Sequence, residues 1–112
     1  MTEDHSLWNE YKKMAKVTQD DFKNFAHKNI IVRALGMKSH VKVDTRIEVM
    51  EPGDLFLLCS DGLSGEIEDD AILDLIHEKG DDLDACCSAL IDQANENGGK
   101  DNVTAVLVRV VE

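Results

Sequence analysis

Two short, largely apolar runs flank two helical patterns in the second half of this sequence. The runs are Leu55–Cys59 and residues 103–111, and runs of this length predict strands that are buried in a sheet. Between them, apolar residues recur at helical spacing in one stretch that ends at Gly80 and in another that ends near Gly98. A glycine just beyond the last turn is a common helix end. The chain is therefore expected to close with the order strand, helix, helix, strand.

The first half adds two helices and two strands to this order. The predicted elements are helices over residues 6–16 and 18–26 and strands over residues 30–35 and 41–50. Ser6 and Thr18 are suited to be N-caps, because their hydroxyls can accept hydrogen bonds from the first free helix amides. A Pro-Gly turn is expected to pair the second of these strands with Leu55–Cys59. The full order predicts an α+β fold, with helices flanking a mainly antiparallel sheet, rather than alternating βαβ units.

The length and composition fit one soluble domain. The chain has 112 residues, of which 43% are hydrophobic and 31% charged, enough for one ordinary core, so a single domain over residues 1–112 is expected. No apolar run approaches the roughly 20 residues that cross a bilayer, so no membrane partner is expected. The acidic N-terminus does not resemble a signal peptide. The predicted location is the cytoplasm.

Three cysteines give no metal or disulfide pattern. Cys59 lies inside an apolar run, and Cys86 and Cys87 are adjacent. The count is odd and no Cys-x-x-Cys spacing occurs, so neither a disulfide framework nor a zinc site is indicated. All three are expected to be buried thiols, since free cysteine behaves as a small apolar residue.

Charge is distributed very unevenly along the chain. Residues 1–50 carry a net charge of +2, whereas residues 51–112 carry −13. Such an acidic surface repels phosphate backbones, so no nucleic-acid partner is expected. Divalent cations are better partners for it. Most of these carboxylates are expected on the solvated faces of helices, where they keep the protein soluble.

Two aspartates stand apart from the helical faces, because each lies beside a predicted strand end. Asp61 follows Leu55–Cys59 and precedes Gly62, whereas Asp101 follows Gly98-Gly99-Lys100 and precedes Asn102 and the last strand. Glycine beside a carboxylate lets backbone or ligand come close. If the two strands are neighbours, both carboxylates can converge on a hard cation such as Mg²⁺ or Mn²⁺. The alternative is that both segments are ordinary turn sequences.

Four segments of the chain resemble a known family. Residues 52–63, which read PGDLFLLCSDGL, and residues 98–104, which read GGKDNVT, closely resemble two signature segments of the type 2C metal-dependent Ser/Thr protein phosphatases. Residues 2–6 and 29–36 resemble two more, in the same order and at bacterial-type spacing. The resemblance covers nearly the whole chain, but it corresponds only to the C-terminal half of that catalytic domain.

This resemblance implies specific roles. Asp61 and Asp101 match aspartates that hold one metal of a dinuclear Mn²⁺ or Mg²⁺ centre, and Asp4 matches a ligand of a third metal in many bacterial members. Gly62, Asn102, Gly98 and Gly99 match the supporting loops. Residues 6–29 match a flap beside the active site, and residues 30–112 the half that carries the metal motifs. The implied reaction is attack of a metal-activated water on phosphoserine or phosphothreonine of a protein substrate. The implied fold is half of an α-β-β-α sandwich.

The sequence also departs from the family. No segment before Thr2 matches the family's bridging Asp-Gly aspartate, its proposed general-acid histidine or its phosphate-binding arginine. Gly65 stands where many relatives have a further acid for the third metal. With few protein ligands, metal binding is expected to be weak, since Mg²⁺ then keeps most of its waters. The chain is therefore expected to be weak or inactive alone.

Two further expectations follow from a half-domain. A non-catalytic binding or assembly module is the alternative function, with the motifs retained as turns. Half of a two-sheet sandwich exposes apolar sheet surface, and large exposed apolar patches usually mark an interface, so a homodimer that covers the sheet is predicted.

Two other polar residues are expected to have structural roles, and a third is excluded as a nucleophile. His5 beside a helix start is expected to form a structural hydrogen bond, and Arg33 an ordinary ion pair with a nearby acid. Ser60 has no Gly-x-Ser-x-Gly turn or histidine partner to make it a nucleophile.

Overall fold

The computed structural model describes residues 1–14 and 30–112, which group into two compact units, Met1–Ile47 and Glu48–Glu112. The helix predicted over residues 18–26 lies outside the described residues. The single domain expected over residues 1–112 remains a prediction. Among the described residues, no helix is both long and apolar enough to cross a membrane.

The first unit contains helix α1, Leu7–Met14. Ser6 caps it as predicted, because the Asn9 amide donates to the Ser6 Oγ at 3.2 Å. The predicted last turn, beyond Met14, lies outside the described residues. Glu10 is the acidic residue of the first turn, and Lys12 and Lys13 lie in the last turn, an arrangement that suits the helix dipole.

The two strands predicted before Leu55 are not formed. Ile31 makes only an isolated antiparallel bridge with Ser6, supported by a hydrogen bond from the Val32 amide to the His5 carbonyl at 2.8 Å. Residues 41–50 form no strand and are exposed throughout. A strand needs a neighbouring strand for its backbone groups, and the described part of the chain supplies none for these residues.

The second unit contains a two-stranded antiparallel sheet. Strand β1, Leu55–Cys59, pairs with strand β2, Ala105–Arg109, so that Leu55 lies opposite Arg109 and Cys59 opposite Ala105. The predicted pairing of β1 with residues 41–50 is therefore wrong. The Pro-Gly turn instead extends the β1–β2 ladder, because the Gly53 amide donates to the Val110 carbonyl at 2.9 Å. The α+β class with an antiparallel sheet is confirmed.

Three helices connect the two strands. They are α2, Asp61–Ser64; α3, Asp69–Lys79; and α4, Leu83–Glu96. The last two match the predicted helices, with α3 ending at Gly80. Asp82 caps α4, since its Oδ1 accepts from the Ala85 amide at 3.0 Å. The four-residue α2 is too short to show helical periodicity in the sequence.

One apolar core holds these elements together. Leu63, Ile67, Ile72, Leu90 and Ala94 are buried, and Leu57, Leu75, Ile76, Val103 and Ala105 pack against them. Cys86 is fully buried and Cys87 is half-buried. Cys59 is exposed, contrary to the prediction. It is the last residue of β1, whose final two residues are both exposed, so β1 is not a strand buried on both faces.

Candidate functional site

The antiparallel register brings two loops, the one that carries Asp61 and the one that carries Asp101, to the same end of the sheet. β1 ends at Cys59, which lies opposite Ala105, the first residue of β2. Asp61 lies two residues beyond that end, as the first residue of α2. Asp101 lies a few residues before β2 begins. The neighbouring strands that the metal-site hypothesis requires are therefore present.

Ser60 fastens these two loops together. Its amide donates to the Thr104 carbonyl at 3.0 Å, and its hydroxyl donates to the Asn102 carbonyl at 3.2 Å. The same hydroxyl accepts from the Thr104 amide at 3.0 Å. Ser60 thus replaces ladder hydrogen bonds where regular pairing stops. Ser60 lacks the sequence features of a nucleophile, and its role in joining the two loops has no local sequence signal.

Gly62 allows the closest approach between the loops. A Cβ atom built at this position would lie 2.1 Å from the carbonyl oxygen of Asn102 and 3.5 Å from the carbonyl carbon of Asp101. Gly62 is buried. The chain segment that carries Asp101 therefore packs directly against the residue after Asp61, and only glycine leaves space for it.

Asp61 and Asp101 both lie exposed at this end of the sheet. One oxygen of Asp101, Oδ1, accepts from the Asn102 amide at 2.7 Å, which orients the carboxylate. Carboxylate oxygens are the donors that Mg²⁺ and Mn²⁺ prefer, so the chemistry of the pair fits such an ion. Within residues 1–14 and 30–112, however, no group of three or more His, Cys, Asp or Glu residues could hold a metal.

The Gly98-Gly99 segment shapes the approach to Asp101. The Gly99 amide donates to the Ala94 carbonyl at 3.1 Å, and Gly99 has φ +56°, which lets the chain turn away from the end of α4. The side chain of Asn97 donates to the Glu66 carbonyl at 2.8 Å and ties this turn to the segment after α2. The turn after α4 is therefore held to the segment after α2 by hydrogen bonds.

Asp4 lies in the first unit, where it is exposed. Its main-chain carbonyl accepts hydrogen bonds from the Ser6 amide at 2.9 Å and the Asn9 side chain at 2.7 Å. These bonds fix the backbone before α1. Its role as a ligand of a third metal remains a prediction.

The neighbouring His5 belongs to a polar cluster in the same unit. Its Nε2 lies 2.9 Å from Oδ2 of Asp44, and Arg33 Nη1 donates to the other carboxylate oxygen at 3.1 Å. Hydrogen bonds first from His5 and then from Arg33 lower the pKa of Asp44. His5 and Arg33 thus have the structural partner expected of them.

Replacement of His5 by alanine is expected to raise the pKa of Asp44 towards its ordinary value of about 3.9. The lowered pKa means that the cluster adds stability above the unfolded-state pKa, and that this contribution is lost as pH falls through the folded-state pKa. Because Asp44 is exposed, solvent screening keeps the contribution small. Titration of the Asp44 carboxyl by NMR in both proteins measures the shift. An unchanged Asp44 titration would show that the His5 contact does not persist in solution.

Electrostatics around the sheet favour a cation. Residues 51–112 contain sixteen acidic side chains and only three basic ones. Arg109 is engaged by Asp81, whose main-chain carbonyl accepts at 3.0 Å and whose Oδ1 lies at 3.7 Å. Lys79 lies 4.0 Å from Glu78. The field of this part of the chain therefore attracts divalent ions and repels free anions.

Comparison with known proteins identifies relatives across almost the whole chain. Residues 17–111 match the family model described as stage II sporulation protein E, SpoIIE. The serine/threonine phosphatase stp of Listeria welshimeri is 38% identical over 108 residues, which are 96% of this chain and 42% of that protein. The chain thus spans less than half the length of this curated relative.

Solved structures give the same result. The serine/threonine phosphatase of S. agalactiae superposes on 100% of this chain with a TM-score of 0.88 and 34% identity, yet only 46% of its own chain is covered. The catalytic domain of the phosphatase PstP, solved in complex with two manganese ions, superposes with a TM-score of 0.78 and 30% identity, with 45% of its chain covered. Both the fold and its partial extent are thereby established.

Proposed function

Because the chain belongs to the SpoIIE family and forms part of a type 2C phosphatase domain, we propose that it supplies Asp61 and Asp101 to a Mn²⁺ or Mg²⁺ centre for phosphoester hydrolysis. The observation that carries this proposal is the β1–β2 register, which brings both aspartates to one end of the sheet. The proposed substrates are phosphoserine and phosphothreonine proteins, as the names of the relatives suggest.

The chain's own residues have distinct tasks in this proposal. Asp61 and Asp101 hold the ion, while Ser60 and Gly62 keep their two loops together through the contacts with Asn102. The hydrogen bond from the Asn102 amide leaves one oxygen of Asp101 free to bind the ion. When bound, such an ion lowers the pKa of a coordinated water and so supplies a nucleophile near neutral pH.

The number of ligands limits what this chain does alone. Two carboxylates leave most of the coordination shell of Mg²⁺ to water, so we expect weak binding. A relative of more than twice this length carries the activity named for it, and we expect hydrolysis by this chain alone to be slow or absent. The alternative, a binding module without catalysis, predicts no dependence of any kind on Asp61.

Replacement of Asp61 or Asp101 by asparagine tests the site. Each change removes one of two anionic ligands, so Mn²⁺ affinity is expected to fall by about tenfold or more, equivalent to about 1.4 kcal/mol. Calorimetric titration with Mn²⁺ measures this, and hydrolysis of a phosphothreonine peptide at saturating Mn²⁺ is measured in parallel.

Asp92→Asn is the matched control, because Asp92 is also exposed but lies on α4. It should leave the Mn²⁺ affinity unchanged. Equal affinities for the parent protein, Asp61→Asn and Asp101→Asn would exclude the proposed site. Equal losses in all three variants would instead mean that the ion senses only the overall negative charge.

Location and assembly also remain proposals. The cytoplasm is the proposed compartment, and a homodimer that covers the sheet is the assembly expected from the sequence. Sedimentation velocity over a range of concentrations tests the dimer.

A further inference from the structure

Asn97 is followed by Gly98, and it is the single asparagine of the six in this sequence that precedes a glycine. In an Asn-Gly pair the backbone nitrogen of glycine can attack the side-chain amide carbon of asparagine. Glycine favours this attack because it has no Cβ to hinder the approach and leaves the chain free to rotate. Asn97 and Gly98 are both exposed, so water reaches the pair. A reactive amide therefore lies immediately after α4.

The folded chain holds both ends of the Asn97 side-chain amide. Its Nδ2 donates to the main-chain carbonyl of Glu66 at 2.8 Å, and its Oδ1 accepts from Nε2 of Gln93 at 2.8 Å. Gln93 lies one turn earlier on α4, whereas Glu66 belongs to the segment after α2. The amide carbon is thus fixed between two partners, and turning it towards Gly98 would break both hydrogen bonds.

The backbone of this turn also keeps the two reacting atoms apart. A five-membered imide ring requires the Gly98 nitrogen to lie close to the plane of the Asn97 Cα–Cβ bond, which is the near-attack geometry. Asn97 instead has ψ −7°, so the Gly98 nitrogen eclipses the Asn97 amide nitrogen and lies away from the side chain. The Gly98 amide donates to the Asn95 carbonyl at 3.3 Å. Attack therefore requires the turn to open first.

We propose that Asn97 is a site of spontaneous deamidation whose rate is limited by opening of the turn after α4. In the open turn, hydroxide removes the proton from the Gly98 nitrogen, which attacks the Asn97 amide carbon. A C–N bond forms, and the side-chain amide nitrogen takes up protons from water and leaves as ammonia. Water then hydrolyses the cyclic imide at one of its two carbonyls and gives aspartate or isoaspartate. The reaction needs nothing beyond solvent.

The product cannot restore the connection that Asn97 makes. A carboxylate has no N–H to donate, so the Glu66 carbonyl loses its hydrogen bond and faces another acceptor. The reaction also adds a negative charge at the C-terminal end of α4, where the helix dipole disfavours it. Deamidation therefore releases the turn from the segment after α2. Because hydrolysis of the imide does not regenerate the amide, the released fraction grows with time.

Incubation of the full 112-residue chain at mildly alkaline pH tests this limit, with folded protein compared with protein in guanidinium chloride. Digestion and mass spectrometry measure the loss of intact Asn97 in each sample. The folded chain is expected to react about tenfold or more slowly than the unfolded chain, because several hydrogen bonds must open before attack. Equal rates in the two samples would overturn the proposal.

Gln93→Ala removes the donor to Asn97 Oδ1. Its folded-state rate is expected to rise about two- to tenfold, the factor that corresponds to one neutral hydrogen bond. Ser88→Ala is the matched control, because Ser88 is exposed on the same helix, and its rate should equal that of the parent chain. Circular dichroism checks the fold of each variant, and rates in guanidinium chloride should be equal for all three chains. A folded Gln93→Ala protein that reacts at the parental rate would overturn the proposal.

Asn97→Asp reproduces one product of the reaction. Asn95→Asp is its control, because Asn95 is exposed in the last turn of α4 and gains the same charge, while the bond from Asn97 to Glu66 remains. In urea denaturation, the folding equilibrium constant of Asn97→Asp should be about two- to tenfold below that of Asn95→Asp. Equal constants would overturn the proposed loss of the connection. These measurements involve neither Mn²⁺ nor hydrolysis of a phosphoester, so they are independent of the proposed function.

Discussion

Replacement of Leu90 by alanine is expected to lower the free energy of unfolding by about 2–5 kcal/mol. Leu90 is 0% exposed and lies between Cys86 and Ala94 on the buried face of α4. Its side chain belongs to the cluster formed with Leu63, Ile67 and Ile72. Truncation removes apolar contacts and leaves a cavity that the rigid surroundings fill only in part. Since small domains are stable by about 5–15 kcal/mol, this is a large share of the total.

Urea denaturation followed by circular dichroism measures this loss. Leu73→Ala is the matched control, because Leu73 is 52% exposed on α3 and its change should stay within about 0.5 kcal/mol. Similar losses for both variants would show that the Leu90 cluster is not the core of the folded protein in solution.

Replacement of Gly62 by alanine is expected to cost about 1–3 kcal/mol of stability and to weaken Mn²⁺ binding as well. The added Cβ would lie 2.1 Å from the Asn102 carbonyl oxygen, far inside contact distance. That atom belongs to the backbone, so the clash can be relieved only if the two loops separate. Separation would break the bond from the Ser60 hydroxyl to the same carbonyl and move Asp101 away from Asp61.

The same urea and Mn²⁺ titrations test Gly62→Ala. Ser64→Ala is the control, since Ser64 lies exposed in the same short helix and its change removes atoms rather than adding them. If Gly62→Ala were as stable as the parent protein and bound Mn²⁺ equally well, the close packing of the loops would be unnecessary for the site.

The helices could be predicted from the sequence because their signals are local. Spacing of apolar residues and a terminal glycine located α3 and α4, and Ser6 located the start of α1. The partner of β1 could not be predicted in this way. The turn before Leu55 favoured pairing with the preceding residues, whereas β1 pairs with a strand that comes after three intervening helices. The β1 sequence does not specify which strand it pairs with.

The strand predicted over residues 41–50 is not formed, and the reason is again that strand pairing depends on residues far apart in the sequence. Alternation of apolar and polar residues indicates a segment that can form a strand. A backbone hydrogen-bond ladder also requires a second strand beside it. Cys59 was predicted to be buried because its run is apolar, yet its exposure depends on which elements cover the end of β1. Neither the presence of a neighbouring strand nor the exposure of a strand end can be predicted from a few residues of sequence.

The candidate site also combines features with a local sequence signal and features that depend on the tertiary structure. Asp61 and Asp101 could be singled out because each lies beside a strand end and a glycine. Their placement at one end of the sheet depends on the β1–β2 register, which only the structure gives. Ser60 was missed as a loop-fastening residue because its partners, Asn102 and Thr104, lie 42 and 44 positions away.

That separation couples ion binding to the topology of the chain. The two halves of the site meet only after a segment of some forty residues has closed into a loop, and closure of a long loop has an entropic cost. An ion that binds only the closed form would favour closure and raise the melting temperature further as the ion concentration increases above its Kd. Bound Mn²⁺ would then hold together the two ends of a long chain segment and stabilise the folded state.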